Sequence, residues 1–285
     1  MSQESTLLQL ISAGADDDVA LSAPGVKALT FAGLREQVRG TVAALNAMGI
    51  GREDRVAIVL NNGPEMATAF ISVAAGASSA PLNPAYRADE FEFYLADLNA
   101  KGLVVEAGSS SPAVEVARKL GVRLIELHPL RESGAGRFEL RADGAATGAP
   151  ARPGPAQADD IALVLHTSGT TSRPKIVPLS QRNVCASARN IRGFLSLTAQ
   201  DRGLNIMPLF HIHGLIAGVL APLSAGGQVC CTPGFNALKF FAWMDEAHPT
   251  WYTAVPTMHQ AIVGRAKGNA DVIARHPLRF LRSSS

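Results

Sequence analysis

From about Thr30 to Leu281, strand-like and helix-like segments alternate, and this rhythm constrains the fold more than any other feature of the chain. Thr30 is placed to cap a helix that runs to Met48, with Gly49 as its stop signal. Arg55 to Leu60 (RVAIVL) is an apolar run of strand length, and Pro64 to Ala75 follows as a helix with proline in its first turn. Helices at Arg87 to Leu98 and Pro112 to Leu120 then alternate with strands at Gly102 to Val105 and Arg123 to Leu127. Buried strands joined through helices predict a parallel sheet covered by helices.

Between Arg131 and Ala158 the pattern gives way to glycine, alanine and proline, which reads as an exposed connection. Beyond it the alternation resumes. Strands are expected at Ile161 to Leu165, Gly203 to Met207, Gln228 to Cys231, Trp251 to Ala254 and Leu278 to Leu281. Helices are expected at Ser180 to Arg192, Leu215 to Ser224, Ala237 to Ala247 and Pro256 to Arg265. The chain ends at Arg282-Ser283-Ser284-Ser285, directly after a strand and where an open parallel sheet places its ligand-contacting loops, so it reads as ending in mid-fold. Such an incomplete sheet is expected to expose an apolar edge that drives self-association.

Composition narrows the partners. With 47% hydrophobic residues among 285, the chain has ample material for a core, and 26 basic against 24 acidic residues leave no basic field to hold nucleic acid. A small-molecule partner is favoured. Cys185, Cys230 and Cys231 form no C-x-x-C pair and read as buried thiols in a reducing cytoplasm. The opening MSQESTLLQL lacks the features of an export signal, and the most apolar later run, Gly214 to Leu223, falls short of the roughly 20 residues of a membrane span.

The segment that carries most chemistry is Leu165-His166-Thr167-Ser168-Gly169-Thr170-Thr171-Ser172-Arg173-Pro174-Lys175, expected between a buried strand and a helix. Thr167, Ser168, Thr170, Thr171 and Ser172 each offer a hydroxyl donor, Gly169 permits close approach of backbone amides, and Lys175 supplies a mobile positive charge. These are the parts of a phosphate cradle; the alternative is an ordinary Ser/Thr-rich turn. The G-x-x-x-x-G-K-[ST] loop is excluded because Pro174 precedes the lysine. Neither a G-x-G-x-x-G fingerprint nor a G-x-S-x-G nucleophile elbow is present.

The run TSGTTSRPK resembles the phosphate-binding motif of the adenylate-forming superfamily, which includes acyl-CoA synthetases, luciferases and peptide-synthetase adenylation domains. Serine at 172, where the superfamily usually has glycine, is shared with a subgroup similar to oxalate-CoA ligases. Ile176 also replaces a usual glycine, and a β-branched residue there is expected to alter loop closure over ATP. Met207-Pro208-Leu209-Phe210-His211-Ile212-His213-Gly214 resembles the P-[LM]-F-H-x-x-G segment, which makes His211 the residue beside the carboxylate substrate. His213 either assists or packs, and no third ligand makes the His-x-His pair a metal site. Thr250 to Gln260 resembles the wall of the acyl and CoA side, with Trp251 and Tyr252 expected as core aromatics. Leu278 to Ser285 resembles the strand and turn bordering the substrate pocket, with Ser285 as its polar candidate.

The resemblance implies an α/β fold: parallel sheets flanked by helices in two α/β subdomains of an N-terminal AMP-binding domain, divided near residue 185. The adenine loop, the acidic magnesium motif, the ribose-binding aspartate, the hinge and the C-terminal domain have no counterpart in these 285 residues. It further implies ATP, Mg2+ and the cosubstrate CoA. Thr167, Ser168, Gly169, Thr170, Thr171, Ser172 and Lys175 would bind the triphosphate, Lys175 and His211 would be catalytic, and His211 with Ser285 would bind a small acid, oxalate being the leading candidate. A short- or medium-chain fatty acyl-CoA synthetase is the alternative substrate class. A non-catalytic, truncated nucleotide-binding fragment is the alternative of another class.

Overall fold

The computed structural model describes residues 4–144, 148–167 and 174–283, and in it two mostly parallel sheets lie with helices between and around them. In chain order the elements are α1 (Leu7–Leu10), β1 (Val19–Ala23), β2 (Val26–Thr30), α2 (Phe31–Ala47), β3 (Arg55–Val59), α3 (Pro64–Ala74), β4 (Ser78–Pro81), α4 (Ala88–Asp97), β5 (Gly102–Glu106) and α5 (Pro112–Leu120). There follow β6 (Arg123–Pro129), β7 (Phe138–Ala142), β8 (Ile161–Thr167), β9 (Lys175–Ser180), α6 (Gln181–Phe194) and β10 (Arg202–Asn205). A π-helix (His213–Leu220) leads into α7 (Ala221–Ser224), β11 (Gln228–Cys231), α8 (Phe240–Ala247), β12 (Trp251–Ala254), α9 (Pro256–Ala266), α10 (Ala270–Arg275) and β13 (Phe280–Ser283).

The first sheet has the order β7-β6-β5-β3-β4-β8-β9 and the second β13-β12-β10-β11-β1-β2. Both are parallel within, with antiparallel pairs only at β1–β2, β6–β7 and β8–β9. The α/β class expected from the alternation is what the chain adopts. Local signals explain much of it: the Thr30 side chain accepts from the Gly33 amide at the start of α2. Proline occupies the first turn of α3, α5 and α9, where its missing N–H costs nothing.

Long-range pairing supplied what local pattern did not. The β1–β2 hairpin, turned at Gly25 with φ +69°, belongs to the second sheet, where Leu21 pairs with Val229. The second sheet therefore combines residues 19–30 with residues 202–283. The stretch 131–158, expected to be an exposed connection, is partly built into the fold. Ala135 is fully buried, Phe138–Ala142 adds an antiparallel edge strand to β6, and the amide of Ala156 donates to the carbonyl of Ala75. The expected Leu278–Leu281 strand lies two residues later, at Phe280–Ser283.

At the centre is α3, buried at every position except Glu65 and packed against strands of both sheets. A helix apolar all round belongs inside. Fully buried Gln181 ties three helices together: its Oε1 accepts from the Leu7 amide and its Nε2 donates to the carbonyl of Ala74. All three cysteines are free and buried. Among the described residues, no helix is long and apolar enough to cross a membrane.

Gly136 records how closely the 131–137 segment sits on α3. At φ +80°, an added Cβ would lie 2.2 Å from Thr68 Oγ1 and 2.7 Å from the Pro64 carbonyl oxygen. Gly136→Ala is expected to cost about 3 kcal/mol in urea unfolding, from backbone strain plus overpacking. Gly121→Ala, at φ +68° with nothing within 4 Å, should cost only about 1 kcal/mol.

Candidate active site

The second sheet reverses its strand order at β10: the chain goes from β10 to β11 on one side and then crosses to β12 on the other. Such a switch point opens a crevice outside the carboxyl ends of the strands. A cavity of about 480 Å³ lies there, lined among others by Met207, His211, His213, Ile216, Met258 and Arg282. Four stretches bring them in: the loop after β10, the π-helix that follows it, the first turn of α9 after β12, and the end of β13.

The loop after β10 is fixed from both sheets. Asn62, just after β3, donates from Nδ2 to the Met207 carbonyl at 2.8 Å and accepts at Oδ1 from the Leu209 amide at 2.9 Å. Asn205 accepts from the Met207 amide at 3.0 Å and donates to the Gly214 carbonyl at 3.4 Å. Gly218 of the π-helix lies against Asn205, where a Cβ would come within 2.9 Å of its side chain. The expected Leu215–Ser224 helix is thus a π-helix from His213 followed by one α-turn, and the widened coil presents His213, Ile216 and Ala217 to the cavity.

His211 lines the cavity. Its Nδ1 accepts from the His213 amide at 3.3 Å, which leaves Nε2 as the donor of the neutral ring. His213 takes the opposite tautomer. Its Nε2 accepts from Arg282 Nη1 at 2.9 Å and from Thr253 Oγ1 at 2.6 Å, and Arg282 Nη1 also donates to Thr253 Oγ1 at 3.1 Å. Burial, then the Arg282 and His211 charges, push the His213 imidazole down to about 4. Arg282 forms no ion pair with a carboxylate among the described residues, and there its Nε and Nη2 have no hydrogen-bond partner. It is a half-buried cation facing an apolar cavity, a residue the sequence analysis passed over in favour of Ser285.

In the first sheet, the Ser/Thr-rich motif joins two antiparallel strands, not a strand and a helix as expected. Thr167 ends β8 and pairs directly with Lys175, which begins β9, so the hairpin brings these two predicted residues together. Both are exposed, and Lys175 makes no ion pair among the described residues. Ser168, Gly169, Thr170, Thr171, Ser172 and Ser285 lie outside the described residues. Ile176 sits opposite His166 in β9 and packs, partly buried, on the core cluster of the first sheet, an extended position that suits a β-branched side chain. His166 donates to Asp97 Oδ2 at 3.0 Å and stands edge-on to Tyr94, pinning the hairpin to the end of α4. Trp251 and Tyr252 are core aromatics, 1% and 3% exposed. No group of three or more His, Cys, Asp or Glu side chains among the described residues could hold a metal ion.

The cavity at the switch point is thus bordered by Arg282 and two histidines, and the β8–β9 hairpin sets Thr167 opposite Lys175. Residues 11–283 match the AMP-binding enzymes, and the chain belongs to that family. It is 40% identical to an oxalate--CoA ligase of Arabidopsis thaliana over 99% of this chain and 55% of the relative. It is 36% identical to the oxalate--CoA ligase of Saccharomyces cerevisiae over 82% of this chain and 46% of that protein. A sulfoacetate--CoA ligase of Cupriavidus necator is 31% identical over 98% of this chain and 54% of its own length. Among solved structures, ATP-bound MatB from Rhodopseudomonas palustris superposes with a TM-score of 0.81 at 25% identity, over 99% of this chain and 55% of that one. The chain spans about half the length of the curated relatives it matches.

The His213 contacts make a direct prediction. The unfolded imidazole takes up a proton near pH 6.5 and the folded one only near 4, so stability is expected to fall as pH drops through that window. Histidine NMR should give His213 a midpoint near 4 with the proton on Nδ1 at neutrality; a midpoint near 6.5 would contradict the burial of the ring against Arg282.

Proposed function

We propose that the protein carrying this chain activates a small dianionic acid, with oxalate the leading candidate, to an acyl-adenylate and then to its CoA thioester. The observation that carries this reading is Arg282, a half-buried cation without a carboxylate partner among the described residues, beside His211 in one cavity. A dicarboxylate brings two anions out of water, and each must be met by a donor or a charge. The cavity offers one of each, with His211 donating to the reacting carboxylate and Arg282 pairing with the second. The oxalate--CoA ligase names of two relatives support the same choice.

In the first half-reaction a carboxylate oxygen attacks the α-phosphorus of ATP and pyrophosphate leaves; in the second the CoA thiol attacks the acyl carbon and AMP leaves. Neither step needs a protein nucleophile. Both need alignment of mutually repelling anions and neutralisation of phosphate charge. Lys175 and the Thr167 hydroxyl, held across the hairpin, are assigned with Ser168, Gly169, Thr170, Thr171 and Ser172 to the β- and γ-phosphates. Magnesium would enter with the nucleotide. The described residues provide no carboxylate cluster to hold it. Three free, buried thiols accord with a reducing cytoplasm.

The chain spans about half of each curated relative, so turnover by the 285 residues alone and by the whole protein are separate questions. Pyrophosphate release should therefore be measured on the 285-residue chain and on the native gene product, with oxalate, acetate and hexanoate. Release driven best by oxalate is the expected result for the native product; preference for hexanoate would remove the dianion reading. Arg282→Leu should lower kcat/KM for oxalate on the order of 100-fold while leaving acetate nearly unchanged. Lys175→Ala should slow every acid alike without lowering the melting temperature.

A further inference from the structure

Among the described residues β13 is a four-residue strand at the edge of its sheet, paired only with β12, and Arg282 is its third residue. A long side chain at such a place faces a cavity reliably only if the strand itself is held. At its entry, Arg279 does so: its guanidinium donates to both oxygens of buried Asp201, at 3.1 and 2.8 Å, and stacks over Phe280. At its exit the holding group comes from α9. His259 Nε2 donates to the Arg282 carbonyl at 3.2 Å, and its Nδ1 accepts from the hydroxyl of Tyr252 at 3.0 Å.

The hydrogen bonds fix the direction of this chain of contacts. A carbonyl only accepts, so Nε2 of His259 carries a proton, and in the neutral ring Nδ1 is then the acceptor for Tyr252. Tyr252 is 3% exposed and pairs in β12 with Leu281, next to the Thr253–Arg282 pair. The neighbour of His259 on α9, Met258, lines the cavity. One face of the helix's first turn thus walls the cavity and another grips the backbone of the residue that charges it.

We infer that His259, oriented by the Tyr252 hydroxyl, is a positioning residue that holds the Arg282 guanidinium in the cavity and so sets the preference for a second anionic group on the acid. This rests on the reading of Arg282 as the partner of that group. His259 touches neither the acid nor the nucleotide in this account and acts only through Arg282. Losing it frees the end of an edge strand, so affinity for the dianion should fall while catalysis of bound substrate persists.

The test is steady-state kinetics on the native gene product with oxalate and acetate. His259→Ala should raise KM for oxalate about tenfold, with kcat and KM for ATP and acetate within about twofold. His259→Gln keeps an N–H for the Arg282 carbonyl and an acceptor for Tyr252, and should recover most of the loss. Tyr252→Phe should raise KM for oxalate about threefold, and with His259→Gln carries the test if the alanine variant fails to fold. If Arg282→Leu leaves the preference for oxalate intact, the reading of the cavity fails. If Arg282→Leu abolishes it while His259→Ala leaves KM for oxalate unchanged, or changes all substrates equally without recovery by glutamine, this inference alone is overturned.

Discussion

The burial of α3 is the constraint on which the rest depends. From Pro64 to Ala74 only Glu65 escapes, and the helix packs on strands of both sheets, so neither sheet completes its core without it. Its small residues, Ala67, Ala69, Ser72 and Ala74, let backbones come close, and Gly136 presses against its first turn. Because β3 leads into α3 through Asn61-Asn62-Gly63, the same arrangement delivers Asn62 to the loop after β10. The shared core and the position of His211 are consequences of one packing decision.

The second sheet then does the electrostatic work. Its switch point opens a cavity at the ends of β10 and β12, and parallel pairing of β12 with β13 puts Arg282 beside Thr253 at the rim. A cation there is costly unless its N–H groups are met. Thr253 and a neutral His213 meet one nitrogen and, being uncharged, leave the positive charge uncompensated. An arginine held at one nitrogen without being neutralised is suited to an incoming anion.

Much of this was legible in the sequence because the signals were local. Thr30, Pro64, Pro112 and Pro256 mark helix starts by chemistry that needs no tertiary context, and the helices they begin lie where expected. His211 stands out in the sequence because it sits within a contiguous motif, and the fold sets it on the cavity wall. What escaped depended on distant partners. β4 (SSAP) has no strand-like composition and is made a strand by its neighbours β3 and β8. β9 carries Pro178, tolerated because the strand is at an edge, and so looked like a loop before a helix. Arg282 resembled any arginine near a terminus until β12, π-helix and α9 closed around it. Asn62 reaches a partner 145 residues away, which no window along the chain reveals.

The central claim is that the cavity at the end of β10 receives a dianionic acid against Arg282. Electron density from crystals of the protein soaked with oxalate tests it most directly. The account predicts oxalate in the cavity, one carboxylate within hydrogen-bonding distance of the Arg282 guanidinium and the other near His211 Nε2. Oxalate bound elsewhere, or a cavity that takes hexanoate and excludes oxalate, would contradict it.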